Sequence, residues 1–210
     1  MCADCVARFA PAVPRCRGCG LRLAVDAPVC GACLADPPPF DACVVGCDYA
    51  FPWDRLITDF KFHSRVELAA ALAQRLLAAI ERAALPRPQW VLPVPLTPQR
   101  LAERGYNQAW ELARRLARSL GCRADAQLLD RPLAGRHQAE LGLAQRQQNL
   151  KGAFVPHPRR QASLQGNHVA VVDDVMTSGA TLREAAAALR RGGAARVDVW
   201  VLARTPAPGD

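Results

Sequence analysis

Val169-Ala-Val-Val-Asp-Asp-Val-Met-Thr-Ser-Gly-Ala-Thr-Leu182 decides how the chain is read. Its apolar opening, preceded by His168, has the length of a buried strand and is too short for a buried helix. The run stops at two adjacent acids, Asp173 and Asp174. Five small residues follow, Thr177, Ser178, Gly179, Ala180 and Thr181. An alanine-rich stretch of high helix propensity then reaches Arg191, and Gly192-Gly193 closes it where a left-handed cap belongs. The order is strand, acids, small turn, helix. Backbone N–H groups at such a turn converge on one point, at the positive end of the helix dipole, which makes a phosphate seat. Acids at the carboxyl end of a strand lie where open α/β sheets bind ligands. A ribose 5-phosphate fits both, with its diol on Asp173 and Asp174 and its phosphate on residues 177–181. GxxxxGK[ST] and GxGxxG, which would mark other nucleotide sites, do not occur.

Outward from that stretch, the rest of the chain after residue 40 alternates strand and helix patterns. Phe40 to Tyr49 reads as a strand. Trp53 to Phe62 and Val66 to Leu85 read as helices, the second with Leu68, Leu72, Leu76 and Ile80 on one stripe. Trp90 to Leu96 is a strand, a helix spans about Asn107 to Leu120, Gln127 to Asp130 is a short strand, and Arg196 to Ala203 is the last one. The pattern predicts an α/β fold with a mainly parallel sheet and helices on both faces. Arg100 and Arg104 ahead of Asn107 and Gln108 make a second anion site at a helix start, suited to pyrophosphate. Lys61, between Phe60 and Phe62, is open to two readings, a ligand-phosphate contact or a surface lysine. Arg131 to Phe154 is long, polar and basic, in the manner of a lid.

Eight of the nine cysteines fall within residues 1–47, and six form CxxC pairs. Cys16, Cys19, Cys30 and Cys33 are expected to make one closed tetrahedral zinc site in a small head over residues 1–38. The stiff Asp36-Pro-Pro-Pro39 joins that head to a second domain over residues 39–210. Cys2 and Cys5 either replace one of these pairs or are the remnant of a second ribbon, with a partner pair upstream or lost. Cys43 and Cys47 are expected to be buried on one side of a strand. No apolar run is long enough to span a bilayer and Met1 to Cys5 is no signal peptide, so a cytoplasmic protein without membrane insertion is expected. Net charge is +8 and the pI about 9.3. The cations are nearly all Arg, which suits forked contact with phosphate, in a small polyanion or in nucleic acid.

Residues 169–182 resemble the ribose-phosphate motif of type I phosphoribosyltransferases. The wider chain resembles the ComF family of competence-associated proteins, ComFC and GntX-like. The resemblance is carried by the cysteine-rich head, Lys61, Val94-Pro-Leu-Thr-Pro-Gln-Arg-Leu-Ala-Glu-Arg-Gly-Tyr-Asn-Gln108, Gln138 with Leu141, and Arg146-Gln-Gln-Asn-Leu-Lys-Gly-Ala-Phe154. The family head usually has more CxxC pairs, and Gly135 stands where the family's mobile loop has Thr. The resemblance implies a type I phosphoribosyltransferase-like fold behind a zinc-ribbon-like head. It implies phosphoribosyl pyrophosphate (PRPP) with Mg²⁺ as ligand, and a role in taking up or using external DNA. Gln138, Arg146 and Asn149 are then mobile-loop site residues. No stretch stands out as a nucleobase platform. Two classes of function follow: a phosphoribosyltransferase with an unspecified acceptor, or a single-stranded-DNA-binding competence factor that keeps the PRPP seat as a sensor or relic and works with the DNA-uptake machinery.

Overall fold

A computed structural model describes residues 2–24, 27–63, 65–132 and 152–206. Five strands form a parallel sheet in the order β1-β5-β4-β2-β3: β1 (Ala42–Asp48), β2 (Trp90–Pro93), β3 (Arg123–Ala124), β4 (His168–Met176) and β5 (Arg196–Arg204). Two short segments, Leu129–Asp130 and Val155–Pro156, pair antiparallel beside it. The central strands are β4 and β5, whose residues are buried nearly throughout. That matches their unbroken apolar sequence, since a parallel strand covered on both faces has no solvent side.

Alternation along β4 and β5 sorts the core into two halves. Ala170, Val172, Trp200 and Leu202 pack with three helices, α3 (Trp53–Phe62), α4 (Leu68–Ala83) and α6 (Gln108–Leu120). Val169, Val171, Val199 and Val201 pack on the other side with α7 (Ala180–Arg191), Phe154 and Leu164. The predicted sheet with helices on both faces is present. The strand and helix ends differ from the expected ones by a few residues. α6, for example, is capped by Asn107, whose side chain accepts from the Trp110 N–H at 3.3 Å. α7 ends through Gly193, whose φ of +99° only glycine adopts freely.

The expectation that Cys43 and Cys47 share one side of β1 is corrected. Both are buried, but they fall in different halves of the core. The change comes at Gly46, where the backbone closes on β5 so tightly that a Cβ would lie 2.7 Å from the Leu202 carbonyl oxygen. Cys47 Sγ donates to that same carbonyl at 3.3 Å.

The cysteine-rich segment lies along the free edge of β1. It holds two short helices, α1 (Ala3–Phe9) and α2 (Gly31–Ala35), and an antiparallel bridge between Arg15 and Arg22. The Cys43 N–H donates to the Arg17 carbonyl at 2.7 Å, and Arg15 and Arg22 both pair with Asp48 at the end of β1. Arg204, at the end of β5, donates from Nε to the Cys19 carbonyl at 2.9 Å and from Nη1 to the Met176 carbonyl at 3.1 Å. In the Pro-rich connector, Arg183 of α7 bonds the Asp36 carboxylate at 2.5 Å.

Candidate functional site

β4 delivers Asp173 and Asp174 to the carboxyl end of the sheet. Consecutive strand residues point to opposite faces, so the two carboxylates leave the strand differently. Asp174 is 7% exposed, and Lys61 Nζ at the end of α3 lies 2.9 Å from its Oδ1. Lys61 is therefore no solvated surface lysine. Its apolar neighbours Phe60 and Phe62 set the helix end, and its ammonium reaches across to β4. Asp173 Oδ1 accepts the Asp174 N–H at 2.9 Å. Burial pushes the Asp173 carboxyl up to about 7, and the charge of Asp174 adds to this; the Asp174 N–H, Lys61 and Arg131 oppose it.

After Met176 the chain turns through Thr177 and Ser178, both exposed, into Gly179. Gly179 caps α7 at φ +79°, with no side-chain cap bond. A Cβ there would meet Met176 Cε at 2.5 Å, a contact the flexible methionine can yield, so it is the dihedral that requires glycine. The Ser178 hydroxyl accepts the Ala180 N–H at a long 3.4 Å. The first turn of a twelve-residue helix, Ala180 and Thr181 included, thus follows directly on the strand that carries the twin acids. The strand, acids, glycine turn and helix are arranged in space as the sequence order suggested.

The segment after β2 supplies the opposite wall. Thr97 caps α5 (Pro98–Arg104), and Gly105 at φ +74° ends it. Arg104 donates to Gln108 Oε1 at 3.1 Å and lies over the Phe62 ring, 5.2 Å from its centre. Gln108 is 1% exposed and donates to the Lys61 carbonyl at 3.4 Å. Asn107 Nδ2 donates to the Val94 carbonyl at 3.1 Å, and Tyr106 donates to the Phe60 carbonyl. Asn107 and Gln108 thus spend their amides on tying the end of α3, the segment after β2 and the start of α6 into one wall. Arg100 remains an exposed cation on it.

In the sequence Arg131 stands out only as the start of a basic stretch. It ends beside Asp173 and Arg100, with its guanidinium 5.2 Å from the centre of the Phe154 ring. Burial pulls its pKa down, Arg100 reinforces this, and Asp173 opposes it. An Arg immediately after a short strand, in a chain whose ligand site lies at strand ends, was the available signal. Gln138, Arg146 and Asn149 lie outside the described residues.

In the head, the Sγ atoms of Cys16, Cys19, Cys30 and Cys33 all lie within 4.8 Å of one another. Gly20 turns the first knuckle at φ +71°, and a Cβ at Gly18 would press on Cys33 Sγ at 2.9 Å. The Cys30 N–H donates to Cys16 Sγ at 3.2 Å. Burial works against the Cys16 thiolate, but N–H groups of Cys30, Cys19 and Gly18 outweigh it and bring the thiol down to about 7. Burial pushes Cys19 up to about 11. Four converging sulfurs of low solvent access form a donor set able to hold a metal ion. Cys2 and Cys5 are exposed and stand outside the group, joined only by the Cys5 N–H donating to Cys2 Sγ at 3.4 Å.

Twin acids, a glycine turn and a helix start thus meet at the carboxyl end of a five-stranded parallel sheet. The family description "Phosphoribosyl transferase domain" matches residues 103–209, and the chain belongs to that family. Its relatives are more particular. "DNA utilization protein YhgH" of Salmonella typhi is 40% identical over 209 residues, which are 98% of this chain and 90% of that protein. The protein of the same name in Escherichia coli (strain K12) is 40% identical over 194 residues, 90% of this chain and 84% of that one. "Competence protein F" of Haemophilus influenzae is 35% identical over 208 residues, 97% of this chain and 90% of that one. Among solved structures, an "allosteric regulatory enzyme of purine biosynthesis" aligns at 19% identity and TM-score 0.45, over 70% of this chain and 30% of that chain. No helix among the described residues is long and apolar enough to cross a membrane.

Proposed function

We propose that the chain binds PRPP as its magnesium complex and acts in DNA uptake, natural transformation or DNA utilisation. The observation that carries this is the Asp173–Asp174 pair set against the Gly179 turn, with Lys61 on Asp174 at 2.9 Å. The ribose diol donates to the two carboxylates. The 5-phosphate takes the N–H groups of residues 177–181 at the start of α7. Lys61, Arg100 and Arg131 face the pyrophosphate end, while Arg104, Asn107 and Gln108 hold the wall that carries Arg100.

Transfer breaks the bond from ribose C1 to pyrophosphate and forms one from C1 to the acceptor. The bonding pair leaves with pyrophosphate, whose charge Lys61, Arg100 and Arg131 would neutralise together with the magnesium carried in by the substrate. Positive charge gathers on the ribose meanwhile, and the carboxylates below it favour that state. The names of the relatives and the net charge of +8 support DNA-linked work in the cytoplasm. We place a structural zinc on Cys16, Cys19, Cys30 and Cys33, in a head that ends near residue 38.

A second reading, favoured by the arginine-rich surface, is a single-stranded-DNA-binding factor that retains the PRPP seat without turnover. Calorimetric titration with PRPP-Mg²⁺, on the zinc-loaded protein and on Asp174→Ala, tests the seat. Heat from the intact chain and none from the variant is expected; equal heat from both would misplace the site. Pyrophosphate release from PRPP with bases or single strands present, lost in Asp173→Asn, separates the transferase from the binding factor.

A further inference from the structure

β4 divides the carboxyl edge of the sheet into two flanks. The strand order is β1-β5-β4-β2-β3, so the wall that follows β2 lies on one flank of the twin acids and the ends of β5 and β1 lie on the other. On that second flank the head and the strand ends enclose a cavity of about 410 Å³. Its apolar lining is Leu21, Leu23 and Ala24 from the head, Ala50 beyond β1 and Pro206 beyond β5. Arg204 and Thr205 line it too, and both reach the residue before the small turn. The Thr205 N–H and Arg204 Nη1 each donate to the Met176 carbonyl at 3.1 Å. The cavity is thus one hydrogen bond away from the strand end that carries Asp173 and Asp174.

The charged groups of this lining are already committed. Asp48 and the Gly20 carbonyl hold Arg15, and the carbonyls of Cys19, Met176 and Thr205 hold Arg204. Arg22 spends Nε and Nη2 on Asp48, while its Nη1 makes no bond among the described residues. A phosphate entering here would have to compete with Asp48 for its cations. An uncharged ring suits the cavity better. Its flat faces meet leucine, alanine and proline side chains, and one polar edge atom accepts from Arg22 Nη1.

Displacement at ribose C1 brings the nucleophile in on the side away from the departing group, with its lone pair aligned. The proposed function gives pyrophosphate the flank of Arg100, so the acceptor enters over β5 and β1, where this cavity lies. We propose that the cavity is the acceptor site and takes an uncharged heteroaromatic ring of nucleobase size, free or as an unpaired base of a strand. This inference rests on the PRPP reading and deepens it. A ring nitrogen gives its lone pair to C1 as the C1–O pair departs with pyrophosphate, and the proton of that nitrogen passes to water. The sequence shows no nucleobase platform because the walls come from three distant places, residues 21–24, 50 and 204–206.

The test is calorimetry on the full, zinc-loaded chain with adenine, thymine and oligothymidylate as probes, the seat being filled with ribose 5-phosphate, which has no leaving group. PRPP-Mg²⁺ is titrated separately. Wild type is expected to bind at least one free base. Ala50→Trp, at an exposed position, fills the cavity and is expected to weaken base binding tenfold or more while PRPP-Mg²⁺ binding is unchanged. Ala24→Trp fills it from the head and gives the same result should Ala50→Trp fail to fold. Loss of oligothymidylate binding in the same variants would show that the ring is also taken from a strand. Base affinity unchanged in both variants overturns the proposal, as does a wild type that binds PRPP-Mg²⁺ but no base. Oligothymidylate binding that neither variant moves, with no free base bound, overturns it as well. A wild type without heat from PRPP-Mg²⁺ would sink the seat itself, and the acceptor role with it.

Discussion

Asp173→Asn should stabilise this protein at neutral and alkaline pH. The Asp173 carboxyl moves from an ordinary 3.8 to about 7 on folding. The folded chain therefore holds a proton that the unfolded chain has released, and stability falls as pH rises from about 4 towards 7. Above 7 the full penalty is present. At roughly 1.4 kcal/mol per factor of ten, the ceiling is about 4 kcal/mol. Asp173 keeps some contact with solvent, so about 1–2 kcal/mol is the working figure. Asparagine keeps the shape and an oxygen for the Asp174 N–H, but never charges. For a chain of this length, melting at pH 8 should rise by about 2–8 °C, and the difference should shrink to nothing near pH 4. The assay is a thermal-melting series from pH 4 to pH 9 on both proteins, without ligand. The same variant should lose PRPP-Mg²⁺ binding, since the diol then meets a neutral amide. A variant that melts at or below wild type at pH 8, or a gain that does not change with pH, would refute the reasoning.

Lys61→Met should destabilise the chain by about 2–4 kcal/mol in urea unfolding, because it leaves Asp174 buried and unpaired. The double variant with Asp174→Asn should recover most of that loss, and a loss that stays additive would count against the pair. Gly179→Ala should cost about 1–2 kcal/mol and abolish phosphate binding at the turn, since its φ is +79°; calorimetry with PRPP-Mg²⁺ reads this. Cys33→Ser should release the bound metal in a colorimetric zinc assay, whereas the double variant Cys2→Ser/Cys5→Ser should retain one zinc per chain. Gly20→Ala, whose Cβ would lie 2.3 Å from Val45 Cγ2, should expose the segment around Cys16 to proteolysis faster than wild type.

Local chemistry made much of this legible beforehand. The β4 strand, its acids, the Gly179 turn and α7 are contiguous, and each states its role through residue type alone. The four-cysteine group follows from spacing for the same reason. What stayed hidden depends on distant parts of the chain. Phe60 and Phe62 mark Lys61 as a lysine with a definite aim, but its partner Asp174 is met only because α3 ends over the carboxyl edge of the sheet. Arg131 shows the same gap: its neighbours Asp173 and Arg100 come from other elements. Asn107 and Gln108 look like ligand contacts in a row of polar residues, yet their amides are spent on carbonyls and on Arg104. Ideal strand alternation puts Cys43 and Cys47 on one face, and it fails where Gly46 lets two backbones close up. At the far end of the sheet, His168 and Arg196 both bond Asp198, which is fully buried, a knot that no local pattern revealed.

Arg204 has a wider bearing than its place at the end of β5 suggests. One guanidinium grips the first cysteine knuckle and the last residue before the glycine turn. Disturbing either anchor frees the hand that steadies the other. Stripping the metal from the head should therefore loosen sugar-phosphate capture on the opposite flank, and a bound ligand should slow the metal's escape by the same free energy.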